Sequence, residues 1–260
     1  MKRSGFTLIE LLVVIAVIAI LIALSIAGLQ ASRQRAKTAL CASRIKQVML
    51  DLLMYDTDRG TFPHGFVDSF TPPPGGYPGN STYDRLGWWW FNFLQGYGDT
   101  KEPLLRCPSK SLSHLSLKDN ILYGNYGVNR SVFKNPGAVQ QQRKEFVGSP
   151  LSSEDVTGGT LLIVDSGYSI ISWWHAVDVP PESLDSGRGE DTAYIPGLEI
   201  NKSKNLVAGQ EHDAMEGRHP NKTINVGFGD NHVNTLQAHD LLVEKTGDGY
   251  VNKSPLWSPR

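Results

Sequence analysis

The chain predicts an α+β fold in which a long N-terminal helix, transmembrane in its first half and amphipathic in its second, packs on a loop-rich antiparallel β head. Three observations predict it. Residues 11–29 form an apolar run interrupted by nothing more polar than Ser25. No proline or glycine occurs between Leu29 and Arg59, so nothing in the sequence stops a helix there. After Gly60 the pattern changes to short apolar runs separated by glycine and proline turns, which is the pattern of a head built from strands.

Residues 1–5, Met-Lys-Arg-Ser-Gly, make a basic leader that ends before the apolar run begins. An ordinary secretory signal has the reverse order, with a short apolar stretch followed by a small-residue cleavage site, so cutting at the end of this leader leaves the apolar helix attached. Residues 6–29 span about 36 Å as a helix, enough for the ~30 Å hydrocarbon core. Within this membrane-length segment Glu10 is the single charged residue. A carboxylate there costs several kcal/mol in most estimates and is kept where a partner or function requires it, although near a helix end it can also reach the interface.

Residues 30–58 continue the helix. Ile45, Val48, Met49, Leu52 and Leu53 follow the three-and-four spacing of an apolar stripe. Asp58-Arg59-Gly60 supplies the stop, with Gly60 suited to the left-handed conformation and Pro63 unable to continue a helix. Residues 6–58 would then form roughly 80 Å of helix, with Gly28 the expected place for a bend.

The head, residues 59–260, is large enough for one sizeable domain. Residues 66–85, which include Pro72-Pro73-Pro74-Gly75-Gly76, are expected to lack regular structure. Strands are expected over 121–128, 160–165, 169–174 and 224–228. Gly229-Asp230-Asn231 turns the last of these into a returning strand over 232–236. A short helix follows over 238–245, and 135–158 and 176–221 read as irregular. The run Trp88-Trp89-Trp90-Phe91-Asn92-Phe93 reads as core packing against the helix rather than as a stacking platform for sugars or bases; Trp173-Trp174 carries the same two readings.

At 40% hydrophobic and 20% charged, with a formal charge of −1, the chain is foldable and has no basic block outside the stem to hold a phosphate backbone, so no nucleic-acid partner is expected. The two cysteines, Cys41 on the stem and Cys107 in a Cys-Pro-Ser turn, allow one pairing. A Cys41–Cys107 bridge is expected; it would staple head to helix across about 66 residues and contribute about 2 to 4 kcal/mol. Two buried free thiols are the alternative. His212, Asp213, His219, Asp230 and His232 are near enough in sequence to converge, and Asp213, Asp230 and Asn231 are the candidate ligands for calcium. No His-Glu-x-x-His, Cys-x-x-Cys, EF-hand or Gly-x-Ser-x-Gly pattern compels a metal or a catalytic site, so neither a cofactor nor an enzyme is expected.

Gly5-Phe6-Thr7-Leu8-Ile9-Glu10-Leu11-Leu12-Val13-Val14 closely resembles the processing site of type IV pilins and type II secretion pseudopilins. The resemblance implies cleavage after Gly5 by a prepilin peptidase, methylation of the Phe6 amine, and a role for Glu10 in filament assembly. It implies a pilin-like fold and a structural subunit of a type IV pilus-like or type II secretion pseudopilus filament. The partners would be other pilin or pseudopilin subunits, the inner-membrane assembly machinery and membrane lipid. Type IV pilins that build long pili often carry a proline in the apolar segment; Ala27 and Gly28 stand in that neighbourhood here, which leans toward the pseudopilin branch.

The implied topology is a single pass through the inner membrane, N-terminus cytoplasmic and head periplasmic or extracellular. Flanking charge points the other way, since Lys2 and Arg3 precede the span while Arg33, Arg35, Lys37, Arg44 and Lys46 follow it. The resemblance and the cysteine pair outweigh that count. The rival reading is a membrane-anchored extracytoplasmic binding or enzymatic domain that uses a pilin-like leader for targeting.

Patches of the chain resemble the large pilin-like proteins of Planctomycetes, Verrucomicrobia and related bacteria: Cys41-Ala42-Ser43-Arg44-Ile45-Lys46-Gln47, Tyr55 with Gly60-Thr61-Phe62-Pro63, Arg106-Cys107-Pro108-Ser109, Tyr126-Gly127-Val128-Asn129, and Arg218-His219 followed by residues 225–233. Their C-terminal signature is a histidine, nine residues, then Asp-Gly. Here ten residues separate His219 from Asp230, and Asn231 stands where glycine is expected. Asparagine also tolerates the left-handed conformation, so the turn is expected to survive.

Overall fold

The structure is a computed structural model that describes residues 6–78, 84–98, 102–137, 145–179 and 192–259. Helix α1 runs over Leu8–Arg59, 52 residues, and is continuous through Gly28. Its last residue, Arg59, lies one beyond the expected 58, and Gly60 caps it as expected at φ 75°, where its N–H bonds the Asp56 carbonyl at 2.7 Å. A side chain is strained at this φ, which is why glycine serves as the cap.

Two short strands, β1 (Phe66–Asp68) and β2 (Gly87–Trp89), pair antiparallel. The expectation of no regular structure over 66–85 therefore fails at its first residues. The pair is fixed by Phe66 opposite Trp89, whose rings lie 4.6 Å apart by centroid, an aromatic cross-strand contact that a propensity reading of residues 66–85 alone does not contain.

The main sheet contains β3 (Tyr126–Asn129), β4 (Leu161–Asp165), β5 (Ile170–Ile171), β6 (Thr223–Phe228) and β7 (Val233–Gln237), in the order β5-β3-β4-β6-β7. All neighbours are antiparallel except β3 and β5, which run parallel, so the sheet is mixed rather than wholly antiparallel. The strand expected over 121–128 is confined to its end. The one over 169–174 shortens to two residues and continues as a single-turn helix, Trp173–Ala176. Likewise the helix expected over 238–245 is a turn, Ala238–Leu241, followed by the hairpin β8 (Glu244–Thr246) and β9 (Gly249–Val251).

The sheet separates two cores. On one side Cys41, Ile45, Val48, Met49 and Leu52 of α1, all fully buried, pack with Phe62, Trp89, Trp90 and Ile163. On the other, Leu161, Val164, Ile224, Val226 and Phe228 pack with Trp173, Ile195, Leu241 and Trp257. Strand β6 shows why: Ile224, Val226 and Phe228 point to the second core, leaving the small or polar Asn225 and Gly227 on the helix side. A Cβ on Gly227 would sit 2.9 Å from Met49 Sδ and 2.8 Å from Ile163, so the helix approaches the sheet over a glycine. In β4 the register shifts between Leu161 and Ile163, which sends Leu161 and Val164 to the far core and Leu162 and Ile163 to the near one. That shift leaves Asp165 beside α1.

Candidate functional site

Among the described residues two places carry chemistry, the N-terminal turn of α1 and a buried polar cluster where the helix meets the sheet. At the first, Thr7 caps the helix: Glu10 N–H donates to Thr7 Oγ1 at 3.3 Å, and Thr7 N–H donates to Glu10 Oε2 at 2.8 Å. This reciprocal arrangement is a capping box, and Thr7-Leu8-Ile9-Glu10 is its sequence signal, unread in the pattern above. Phe6 and Glu10 are both exposed; Gly5 lies outside the described residues.

At the second, four side chains converge from distant segments. Cys41 comes from the buried stripe of α1, Cys107 from the Cys-Pro-Ser turn, Asp165 from the end of β4, and His219 from the residue before the turn leading into β6. One ligating atom from each lies within 4.8 Å of all the others, and all four residues are buried. The bridge expected between Cys41 and Cys107 is not formed: both are free, with sulfurs 3.7 Å apart. Cys41 Sγ is instead engaged by Asp165, 3.2 Å from its Oδ1. His219 Nε2 lies 3.1 Å from Asp165 Oδ2, and the Asn225 N–H donates to the same oxygen at 2.7 Å.

The electrostatics follow from burial and these contacts. Burial opposes the charge on Asp165, but the His219 hydrogen bond, the charges of His219 and Arg218, and the Asn225 N–H together hold its pKa below the usual carboxylate range. Burial likewise works against His219, yet Asp165 and Cys107 raise it to about 9. Burial, the Cys107 contact and Asp165 push the Cys41 thiol well up. Burial acts the same way on Cys107, but hydrogen bonds from Cys41 and His219 draw it down to about 6, so one thiolate is favoured over two.

Beside this cluster Arg218 and Asp213 form a second buried pair. Arg218 Nη2 donates to Asp213 Oδ2 at 2.8 Å, with Nε bonding both carboxylate oxygens. Tyr194 Oη donates to the same carboxylate at 2.8 Å, while the Arg218 guanidinium also donates to the Asn125 and Ser166 carbonyls at 2.7 and 2.6 Å. Asp213, one of the three calcium candidates, is thus occupied by an arginine. The other two, Asp230 and Asn231, sit at the β6–β7 turn, where Asp230 bonds His232 and Asn231 takes φ 66°, the left-handed conformation expected of it. The structure therefore does not bring the five histidine and aspartate candidates together. Of them His219 alone joins the buried cluster, and Asp165, Cys41 and Cys107 complete it.

No curated protein and no solved structure matches the chain. Residues 1–26 match the family model described as the prokaryotic N-terminal methylation motif. Helix α1 is also long and apolar enough in its first half to cross a membrane. The motif and this helix support a type IV pilin or pseudopilin-like precursor that is anchored in a membrane.

Proposed function

We propose that the chain is a structural subunit of a type IV pilus-like or type II secretion pseudopilus filament, cleaved after Gly5 by a prepilin peptidase and N-methylated on Phe6. The observation that carries this reading is the methylation motif over residues 1–26 with Glu10 as the single charge in the apolar run. In this reading residues 1–5 are the leader, 6–29 the membrane span, 30–58 the extracytoplasmic stem and 59–260 the head, with the N-terminus in the cytoplasm and the head outside the inner membrane. The large head with its Asn231 turn is the basis for placing it among the large-headed pilin-like proteins.

The geometry at the N-terminus suggests how Glu10 acts. In the isolated chain its carboxylate is held by Thr7, one turn away. Cleavage creates a cationic amine on Phe6, and a neighbouring subunit displaced along a filament would present its carboxylate to that amine. Exchanging a local cap for an ion pair between subunits sets register, because a charge left alone in an apolar surround costs several kcal/mol. The partners are further pilin or pseudopilin subunits, the peptidase and the inner-membrane assembly machinery.

Mass spectrometry of the N-terminus, on protein isolated from its native cells, tests the processing. A chain that begins at N-methylated Phe6 is expected, and an intact Met1 would overturn it. Glu10→Ala tests the filament: assembly should fail while the head keeps its unfolding transition. A variant that still assembles would overturn the role of Glu10, and a head that keeps its function in a chain that never assembles would make the membrane-tethered domain the better reading.

A further inference from the structure

We propose that Cys41, Cys107, Asp165 and His219 form a closed binding site for a zinc-type divalent metal ion, which fastens the stem helix to the head. The inference is independent of the filament reading.

One ligating atom from each of the four residues lies within 4.8 Å of the others, close enough to surround a single ion. With Zn–S near 2.3 Å and Zn–N or Zn–O near 2.0 Å, tetrahedral edges are about 3.8 Å for sulfur to sulfur, about 3.5 Å for sulfur to oxygen and about 3.3 Å for nitrogen to oxygen. The two sulfurs lie 3.7 Å apart, the length of such an edge, and Asp165 reaches its neighbours through both oxygens, Oδ1 at 3.2 Å from Cys41 Sγ and Oδ2 at 3.1 Å from His219 Nε2, so that either oxygen can turn to the ion. The donor set, two sulfurs, an imidazole and a carboxylate, suits zinc and disfavours calcium or magnesium, which take oxygen. All four residues are buried, so no coordination position is left for water or substrate, and the role is structural.

The surrounding groups hold the ligands as an outer shell would. Thr38 Oγ1 donates to the Gln34 carbonyl at 3.1 Å and so accepts from His219 Nδ1–H, also at 3.1 Å, which leaves Nε2 as the atom turned into the cluster, 3.1 Å from Asp165 Oδ2 and 3.1 Å from Asn225 Nδ2. The Asn225 N–H holds Asp165 Oδ2, and Asn125 Oδ1 accepts the Cys107 N–H at 2.9 Å. Two of these contacts, Cys41 and Thr38, come from α1 and the rest from the head. On binding, the protons held by the sulfurs and by Nε2 pass to solvent.

The test uses the full chain, purified in detergent under reducing conditions, and the metals alone. Zinc by elemental mass spectrometry should approach about one per chain, the occupancy of a single closed tetrahedral site. Titration with Co²⁺ should give the intense visible bands of a tetrahedral ion together with a near-ultraviolet band from sulfur-to-cobalt charge transfer. Cys107→Ser should reduce that band, and Thr38→Val should weaken affinity about 10- to 100-fold, as loss of an outer partner does. A wild-type Co²⁺ spectrum without the sulfur band would overturn the proposal whatever the variants do. So would protein taken from cells with its thiols blocked at once and found to carry a Cys41–Cys107 disulfide.

Discussion

The two halves of α1 share one secondary structure and differ in everything else. Among the described side chains, the large apolar ones from Phe6 to Leu29 are exposed all round, while Cys41, Ile45, Val48, Met49 and Leu52 are wholly buried along a single stripe. Backbone hydrogen bonding is the same in both, so it is the side chains that assign each half its surroundings: a uniform apolar cylinder suits lipid or other apolar helices, and a striped one suits a protein core. One continuous helix can therefore belong to two phases, and what it adds to the head's stability resides in its second half.

The sharpest way to test that division is a matched pair of truncations. Leu52→Ala should lower the head's unfolding free energy by about 2 to 5 kcal/mol, because it leaves a cavity in the core, whereas Leu12→Ala should leave it unchanged. Denaturant melts of the two variants in detergent, followed by tryptophan fluorescence, decide it. If both destabilise the head equally, the halves are not separate. Next in size is Gly227→Ala, whose new methyl meets Met49 and Ile163 and should cost about 1 to 3 kcal/mol by lifting the helix off the sheet. The same melt reads it, and a neutral result would mean that the helix can shift without loss.

A third test comes from the face of the sheet that α1 does not touch. Burial, then the charges of Lys204 and Arg130, depress His175 well below its ordinary pKa, and hydrogen bonds with Ser172 offset this only in part. Its folded pKa thus lies below its unfolded one. Above about pH 6.5 both states are neutral and its contribution is whole; below it the unfolded chain takes a proton that the folded one refuses, and stability falls by up to about 1.4 kcal/mol per pH unit. Melts of the wild type and His175→Gln at pH 7.5, 6.5 and 5.5 should diverge as pH drops, and parallel curves would exonerate the imidazole. The smallest effect is expected at the other end. Thr7→Ala removes the cap and should cost the first turn about 0.5 to 2 kcal/mol, visible as faster amide exchange over residues 8–11 with no change in the head.

How legible each part was from sequence follows the same division. The helix, its glycine stop and the β6–β7 hairpin rest on local rules, periodicity, φ > 0 at Gly60 and a turn through Asn231, and these were readable. The capping box has a local signal too, Thr-x-x-Glu, although the same glutamate carries the membrane signal of a lone charge beside an apolar run. Strands β1 and β2 were not, since neither is stable without the ring contact of Phe66 and Trp89 across a long excursion. The buried cluster was legible only in pieces. Cys41 and Cys107 suggested each other, and His219 stood in a motif, but Asp165 looked like the end of an ordinary strand. What brings it in is the register shift in β4 and the placement of β6 beside it, both consequences of the whole sheet.

The exposed apolar half of α1 also constrains how the chain can be moved. Each large apolar side chain left in water costs about 1.5 to 3 kcal/mol relative to one that is covered, and this half carries more than a dozen. Such a helix has no dissolved intermediate. Any route out of the bilayer must be a direct transfer from lipid to another apolar surface, so whatever moves this chain has to deliver it before it lets go.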